Sequence, residues 1–167
     1  MICSFKDSIF YGPPVLGMRV LVWSRNAKTS SLPAGISAAD SLEELIRESD
    51  FLSLHCPLND ATRGLIDAEK LALMKSTAYL VNISRGGLVV EEDLVAALES
   101  GGIAGAGLDV QAAESPWRTD SKLFRMENVI LTPHIGWKRV ETRQRLLDMT
   151  AESVQAFLGG APINVVE

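Results

Sequence analysis

The feature that most constrains this chain is a repeated alternation of short apolar runs with segments of helical spacing. Met18 to Trp23, Asp50 to Leu54, Ala78 to Ile83, Gly105 to Val110 and Asn128 to Leu131 each read as a strand. Helical segments fall between them. Ser41 opens one, with Glu44 three residues on as a capping box and Leu42, Leu45 and Ile46 on its apolar face. Asp67 to Met74 is a short helix with Leu71 and Met74 inward, and Glu91 to Ser100 carries Leu94, Val95 and Leu98 on one side. Gly101 and Gly102 end the latter. A last helix runs from near Trp137 to about Leu158, closed by Gly159, Gly160 and Pro162. Strands this uniformly apolar are expected to be covered on both faces. Strand, helix, strand, helix in this order predicts an α/β fold, a doubly wound and mostly parallel sheet.

In such sheets, ligands bind beyond the carboxyl ends of the strands. The residues there are Ser24-Arg25, His55-Cys56-Pro57, Ser84-Arg85-Gly86-Gly87, Asp109-Val110 and Thr132-Pro133-His134. Both histidines of the chain are among them. An imidazole at His134, on a loop stiffened by Pro133, suits proton exchange near neutral pH. A capping or packing histidine fits the same position. Arg85 could hold a carboxylate through two parallel hydrogen bonds, or be a surface arginine on a tight turn. Asp109 and Glu114 could orient a histidine, or be solvated acids on a loop. His55 reads first as a satisfied strand-end histidine and Cys56 as a small buried hydrophobe. Trp117 and Trp137 fit a pocket wall and a packing role equally.

Composition excludes several classes. The net charge is −5 and no basic stripe stands out, so nucleic acid is not an expected partner. Two cysteines without a spacing motif argue against a disulfide scaffold and fit a reducing compartment. No apolar run is long enough to span a membrane, and the first residues do not read as a signal peptide, so the expected location is the cytoplasm. The final helix is apolar on more than one side (Leu146, Leu147, Met149, Val154, Phe157, Leu158), which predicts a homodimer contact.

Three motifs in order carry a resemblance. They are Asn82-Ile83-Ser84-Arg85-Gly86-Gly87-Leu88-Val89, Gly107-Leu108-Asp109-Val110-Gln111-Ala112-Ala113-Glu114-Ser115-Pro116 and Thr132-Pro133-His134-Ile135-Gly136. Together with His55-Cys56-Pro57-Leu58-Asn59 and Thr62, they resemble the D-isomer-specific 2-hydroxyacid dehydrogenases from about Gly17 to Glu167. The resemblance implies an NAD- or NADP-dependent oxidoreductase that moves hydride between a nicotinamide and C2 of a small 2-hydroxy or 2-oxo acid. It implies that His134 exchanges the proton on the C2 oxygen, that Glu114 orients His134 and favours its imidazolium, and that Arg85 binds the substrate carboxylate. Asp109 would hold the nicotinamide carboxamide. His55, Cys56, Pro57 and Thr62 would lie against the adenosine, and Ile83, Ser84 and Gly136 would complete the cofactor contacts. At the first strand end, Ser24 then Arg25 could accept a 2′-phosphate, so NADP is expected to be tolerated. No metal ligand set is expected.

The sequence also departs from that pattern. The family places a strand and a Gly-x-Gly-x-x-Gly turn before the Met18 strand, wrapping the pyrophosphate. Here residues 1–16 diverge, with only Gly12 and Gly17 available and two prolines between them. The family's substrate domain is missing as well. The expected organisation is therefore a divergent segment 1–16 and an incomplete, N-terminally truncated dinucleotide-binding domain 17–167. Ile2 to Phe10 could supply a substitute strand, expected to pair antiparallel or lie elsewhere, because the link to Met18 is too short for a parallel crossover. The alternative function is a non-catalytic remnant that folds and dimerises but binds cofactor weakly or not at all.

Overall fold

The computed structural model describes residues 2–3, 17–24, 32–112 and 120–165. The chain divides into two compact units, Met1–Pro133 and His134–Glu167.

The first unit holds every strand. In chain order the described elements are β1 (Ile2–Cys3), β2 (Val20–Val22), β3 (Ile36–Ala38), α1 (Leu42–Glu48), β4 (Phe51–His55), α2 (Ala68–Ala72), β5 (Tyr79–Asn82), α3 (Glu91–Glu99), β6 (Gly105–Leu108) and β7 (Val129–Leu131). Five strands form one sheet in the order β1-β4-β5-β6-β7, and β2 pairs with β3 in a separate sheet. Every described ladder is parallel.

Local chemistry explains the helix starts. The Ser41 hydroxyl accepts from the Glu44 N–H, and the Glu44 carboxylate reaches back to the Asp40 N–H. That is the capping-box exchange, shifted by one donor. Glu43 and Glu44 in the first turn and Arg47 in the last complement the helix dipole. Asp67 caps α2 by accepting from the Lys70 N–H. The inward residues Leu42, Leu45, Ile46, Leu71, Leu94 and Leu98 join Leu52, Leu54 and Leu80 in one core cluster.

One expectation is corrected here. Strands β4 and β5 are not buried on both faces: their burial alternates, with Leu52, Leu54, Leu80 and Asn82 inside. Phe51 is 54% and Ile83 52% exposed on the opposite face, where Phe51 and Tyr79 stack at 5.6 Å. The leucines of these helices lie in the same core cluster as Leu52, Leu54 and Leu80. Composition reports how apolar a strand is, but not whether both of its faces have a partner. Of the two placements expected for the Ile2–Phe10 segment, antiparallel beside the Met18 strand or elsewhere, the structure shows the second: β1 pairs parallel with β4, Ile2 opposite Leu54 and Cys3 opposite His55. Its partner is β4, so the short link to Met18 does not have to make the crossover. The connection to β4 runs through β2, β3 and α1 and has ample length.

Strand β3 was not expected from the sequence. Three residues of mixed exposure after Gly35, which sits at φ 83°, give no alternation to read. Residues 25–31 lie outside the described residues.

The second unit is the helix α4 (Val140–Leu158) with its flanking segments. It begins three residues after Trp137, and Gly160 at φ 75° ends it as expected. None of its residues is buried, and Leu147, Phe157 and Leu158 are among the apolar side chains it exposes. No helix of the described residues is long and apolar enough to cross a membrane.

Candidate active site

The carboxyl ends of β4, β5 and β6 lie side by side, because those strands are neighbours in the sheet. Four hydrogen bonds knit their loops together. The Ser84 hydroxyl donates to the Cys56 carbonyl at 2.7 Å, joining the β4 and β5 ends. Asn82, 1% exposed, donates through Nδ2 to the Arg85 carbonyl at 2.9 Å and accepts from the Ser84 N–H at 3.1 Å. The Asp109 N–H donates to the Asn82 carbonyl at 3.0 Å, joining β5 to β6. A polar residue inside an otherwise apolar strand was the signal for Asn82, and it was read only as part of the arginine motif.

Arg85 is exposed at the start of a 3-10 turn, Gly86–Leu88, and its Nη1 donates to the Ser84 carbonyl at 2.7 Å. The glycine beside it is dictated by space: a Cβ on Gly86 would run into the carbonyl of Gln111. Ile83 and Ser84, on the same loop, are exposed and half-buried. Asp109 is not a solvated acid. It is 6% exposed, and the Thr132 hydroxyl donates to its Oδ1. Thr132 is a supporting residue that the sequence did not single out, although it opens the histidine motif.

His55 Nε2 lies 2.7 Å from Ser53 Oγ, and burial holds its pKa below the ordinary histidine value. Neutral and partnered, it matches the reading of a satisfied strand-end histidine. Cys56 is buried and free, and burial raises its thiol pKa, so it behaves as the expected small hydrophobe. Pro57 is exposed, and its carbonyl accepts from the Thr62 hydroxyl at 2.7 Å, closing the loop that follows. Ser24 is half-buried just past β2, in the other sheet. A cleft of about 510 Å³ lies between β2 and β4, lined by Met18, Val20, Phe51, Ser53, His55 and Ile83.

His134 and Gly136 belong to the second unit. His134 is half-buried at φ 50°, in the left-handed region that side chains seldom adopt. Arg25, Glu114 and Trp117 lie outside the described residues. The first unit therefore assembles His55, Cys56, Pro57, Thr62, Ile83, Ser84, Arg85 and Asp109 along one row of strand ends, with Ser24 on the separate sheet.

Comparison with known proteins bears on the family and the fold. Residues 14–136 match the family model of the D-isomer specific 2-hydroxyacid dehydrogenase, NAD binding domain. The chain is 44% identical over 151 residues to a hydroxypyruvate reductase of Blautia hydrogenotrophica, covering 90% of this chain and 46% of that protein. It is 44% identical over 144 residues to a glyoxylate reductase of Thermococcus kodakarensis, covering 86% of this chain and 43% of the relative. Among solved structures, D-lactate dehydrogenase with NAD+ from Lactobacillus jensenii superposes with a TM-score of 0.81 at 30% identity, over 92% of this chain and 49% of the other. An acyclic imino acid reductase in complex with NADPH and D-Arg gives a TM-score of 0.82 at 31% identity, over 92% and 48%. The chain spans about half the length of the curated relatives it matches. Its parallel α/β fold is Rossmann-like, and the chain belongs to the D-isomer specific 2-hydroxyacid dehydrogenases, in the region of that family described as the NAD binding domain.

Proposed function

We propose that this chain is the cofactor-binding half of an NAD- or NADP-dependent oxidoreductase acting on the CH–OH group of a small 2-hydroxy acid. The observation that carries this reading is the Arg85 turn. An exposed guanidinium stands on a loop pinned by Asn82 and Ser84, one strand from a buried carboxylate at Asp109. A cation on a rigid base beside a strand-end acceptor suits a substrate carboxylate next to a carboxamide.

The residues fit a dinucleotide in part. Asp109 offers a buried acceptor, and Ile83 an apolar surface at the adjacent strand end. The glycine turn that would cradle a pyrophosphate has no counterpart in residues 1–24. When bound, a nicotinamide supplies or accepts the hydride. In this reading Arg85 binds and orients the substrate carboxylate, and His134 holds and moves the proton at the C2 oxygen. Glu114 orients His134, and Asp109 accepts from the carboxamide. His55, Cys56, Pro57 and Thr62 flank the adenosine, Ser84 and Gly136 complete the contacts, and Ser24 with Arg25 tolerates a 2′-phosphate. The proposed organisation is a divergent 1–16 segment and an incomplete dinucleotide-binding domain 17–167, acting in the cytoplasm as a homodimer through α4.

A second reading is favoured by the cleft between β2 and β4, where the sheet is interrupted. In it the chain folds and dimerises but binds cofactor weakly or not at all. Titration of the chain with NADH and NADPH, followed by calorimetry, separates the two. Saturable binding at sub-millimolar cofactor, weakened at least tenfold by Asp109→Ala, supports the first. No binding at millimolar cofactor leaves the second. A strong preference for NADH removes the 2′-phosphate role of Ser24 and Arg25.

A further inference from the structure

Gln111 is 4% exposed, and neither its amide oxygen nor its amide nitrogen has a hydrogen-bond partner. A buried amide left in this state gives up its hydrogen bonds to water without replacement, so such groups are rare in folded proteins. Beside it is a void of about 20 Å³, walled by Asn82, Gly86, Glu91, Leu94, Gln111 and Leu123 among others. A cavity above roughly 10–15 Å³ accommodates one water, provided the water finds two to four polar partners.

The partners are present. Gln111 offers two N–H donors and a carbonyl. Glu91, in the first turn of α3, takes the Ser121 hydroxyl on Oε1 at 2.6 Å and has acceptor capacity to spare. Asn82 is already committed to Arg85 and Ser84, so it forms wall and not ligand.

We propose that the void is a built site for a single structural water, bonded by the Gln111 amide and the Glu91 carboxylate. The water accepts from Gln111 Nε2–H and donates to Glu91. It ties the segment following Asp109 to the start of α3. It lies directly behind Gly86, whose Cα rests on the Gln111 peptide, and so it backs the turn that carries Arg85. The site does not depend on the proposed activity.

A crystal structure of the full chain, at a resolution that orders internal waters, is the test. One density peak within hydrogen-bond distance of both Gln111 and Glu91 is the expected result. A dry void, or a Gln111 amide turned onto a protein partner, overturns the proposal. In solution, the Gln111 side-chain amide of the ¹⁵N-labelled chain should show nuclear Overhauser transfer from water, with the sign of a long-lived bound molecule. Its absence overturns the proposal independently of crystallisation. Gln111→Met, similar in length but only a weak acceptor, should lose the water. A peak that persists there on Glu91 alone removes Gln111 from the site and overturns the proposal as stated.

Discussion

At the scale of single residues, the strand-end loops are governed by a few side chains with no room to change. Gly86 is the sharpest case. Its added Cβ would meet backbone and not a flexible side chain, so the neighbouring peptide would have to move. Gly86→Ala is expected to destabilise the chain by about 1–3 kcal/mol, the usual cost of overpacking. Urea unfolding measures this, and an unchanged midpoint would refute the close contact. His55 carries a pH dependence. Its folded pKa is lowered by burial from the ordinary value near 6.5. Below that value the unfolded chain takes up a proton that the folded chain refuses, so stability falls as pH drops and levels off below the folded pKa. Wild type should therefore lose stability relative to His55→Gln as pH falls through about 6.5. Parallel profiles for the two proteins would sink this assignment.

At the scale of elements, the helices and five of the strands are locally encoded, but the strand pairings are not. Ser41 and Glu44 mark the start of α1 in the sequence, and the cap forms in the structure, with Asp40 receiving the carboxylate. Ser41→Ala is expected to cost about 1 kcal/mol. A thermal midpoint shift of about 2–4 °C would report it in a chain of this size. The spacing of Leu42, Leu45 and Ile46 also identified the buried face correctly. Strand β3 escaped notice because three residues carry no periodicity, and its existence depends on β2 beside it. The pairing of β1 stayed open for a related reason. The short link to Met18 speaks only against a parallel pair with β2, and β1 joins β4, well beyond that neighbour. Asn82 and Thr132 were legible only as letters of motifs. Their work, pinning the Arg85 turn and meeting Asp109, required neighbouring strands to exist first.

For the whole molecule, α4 presents an apolar surface. It exposes Val140, Leu146, Leu147, Met149, Val154, Phe157 and Leu158 and buries none of them. The proposed homodimer covers this face. Light scattering should give a dimer mass for the wild type and a monomer for Leu147→Glu with Phe157→Glu. A monomeric wild type would rule the interface out.

The sequence by itself determined the α/β class, the helix caps, the family and the row of chemical groups at the strand ends, because each is written in local spacing or contiguous motifs. Only the tertiary structure decided which sheet face is covered, that β1 pairs parallel with β4, and that the sheet is split beside a cleft. It alone placed Asp109 and Gln111 in the interior. Burial and strand pairing are set by residues distant in the chain, and no local pattern records whether such a partner arrives.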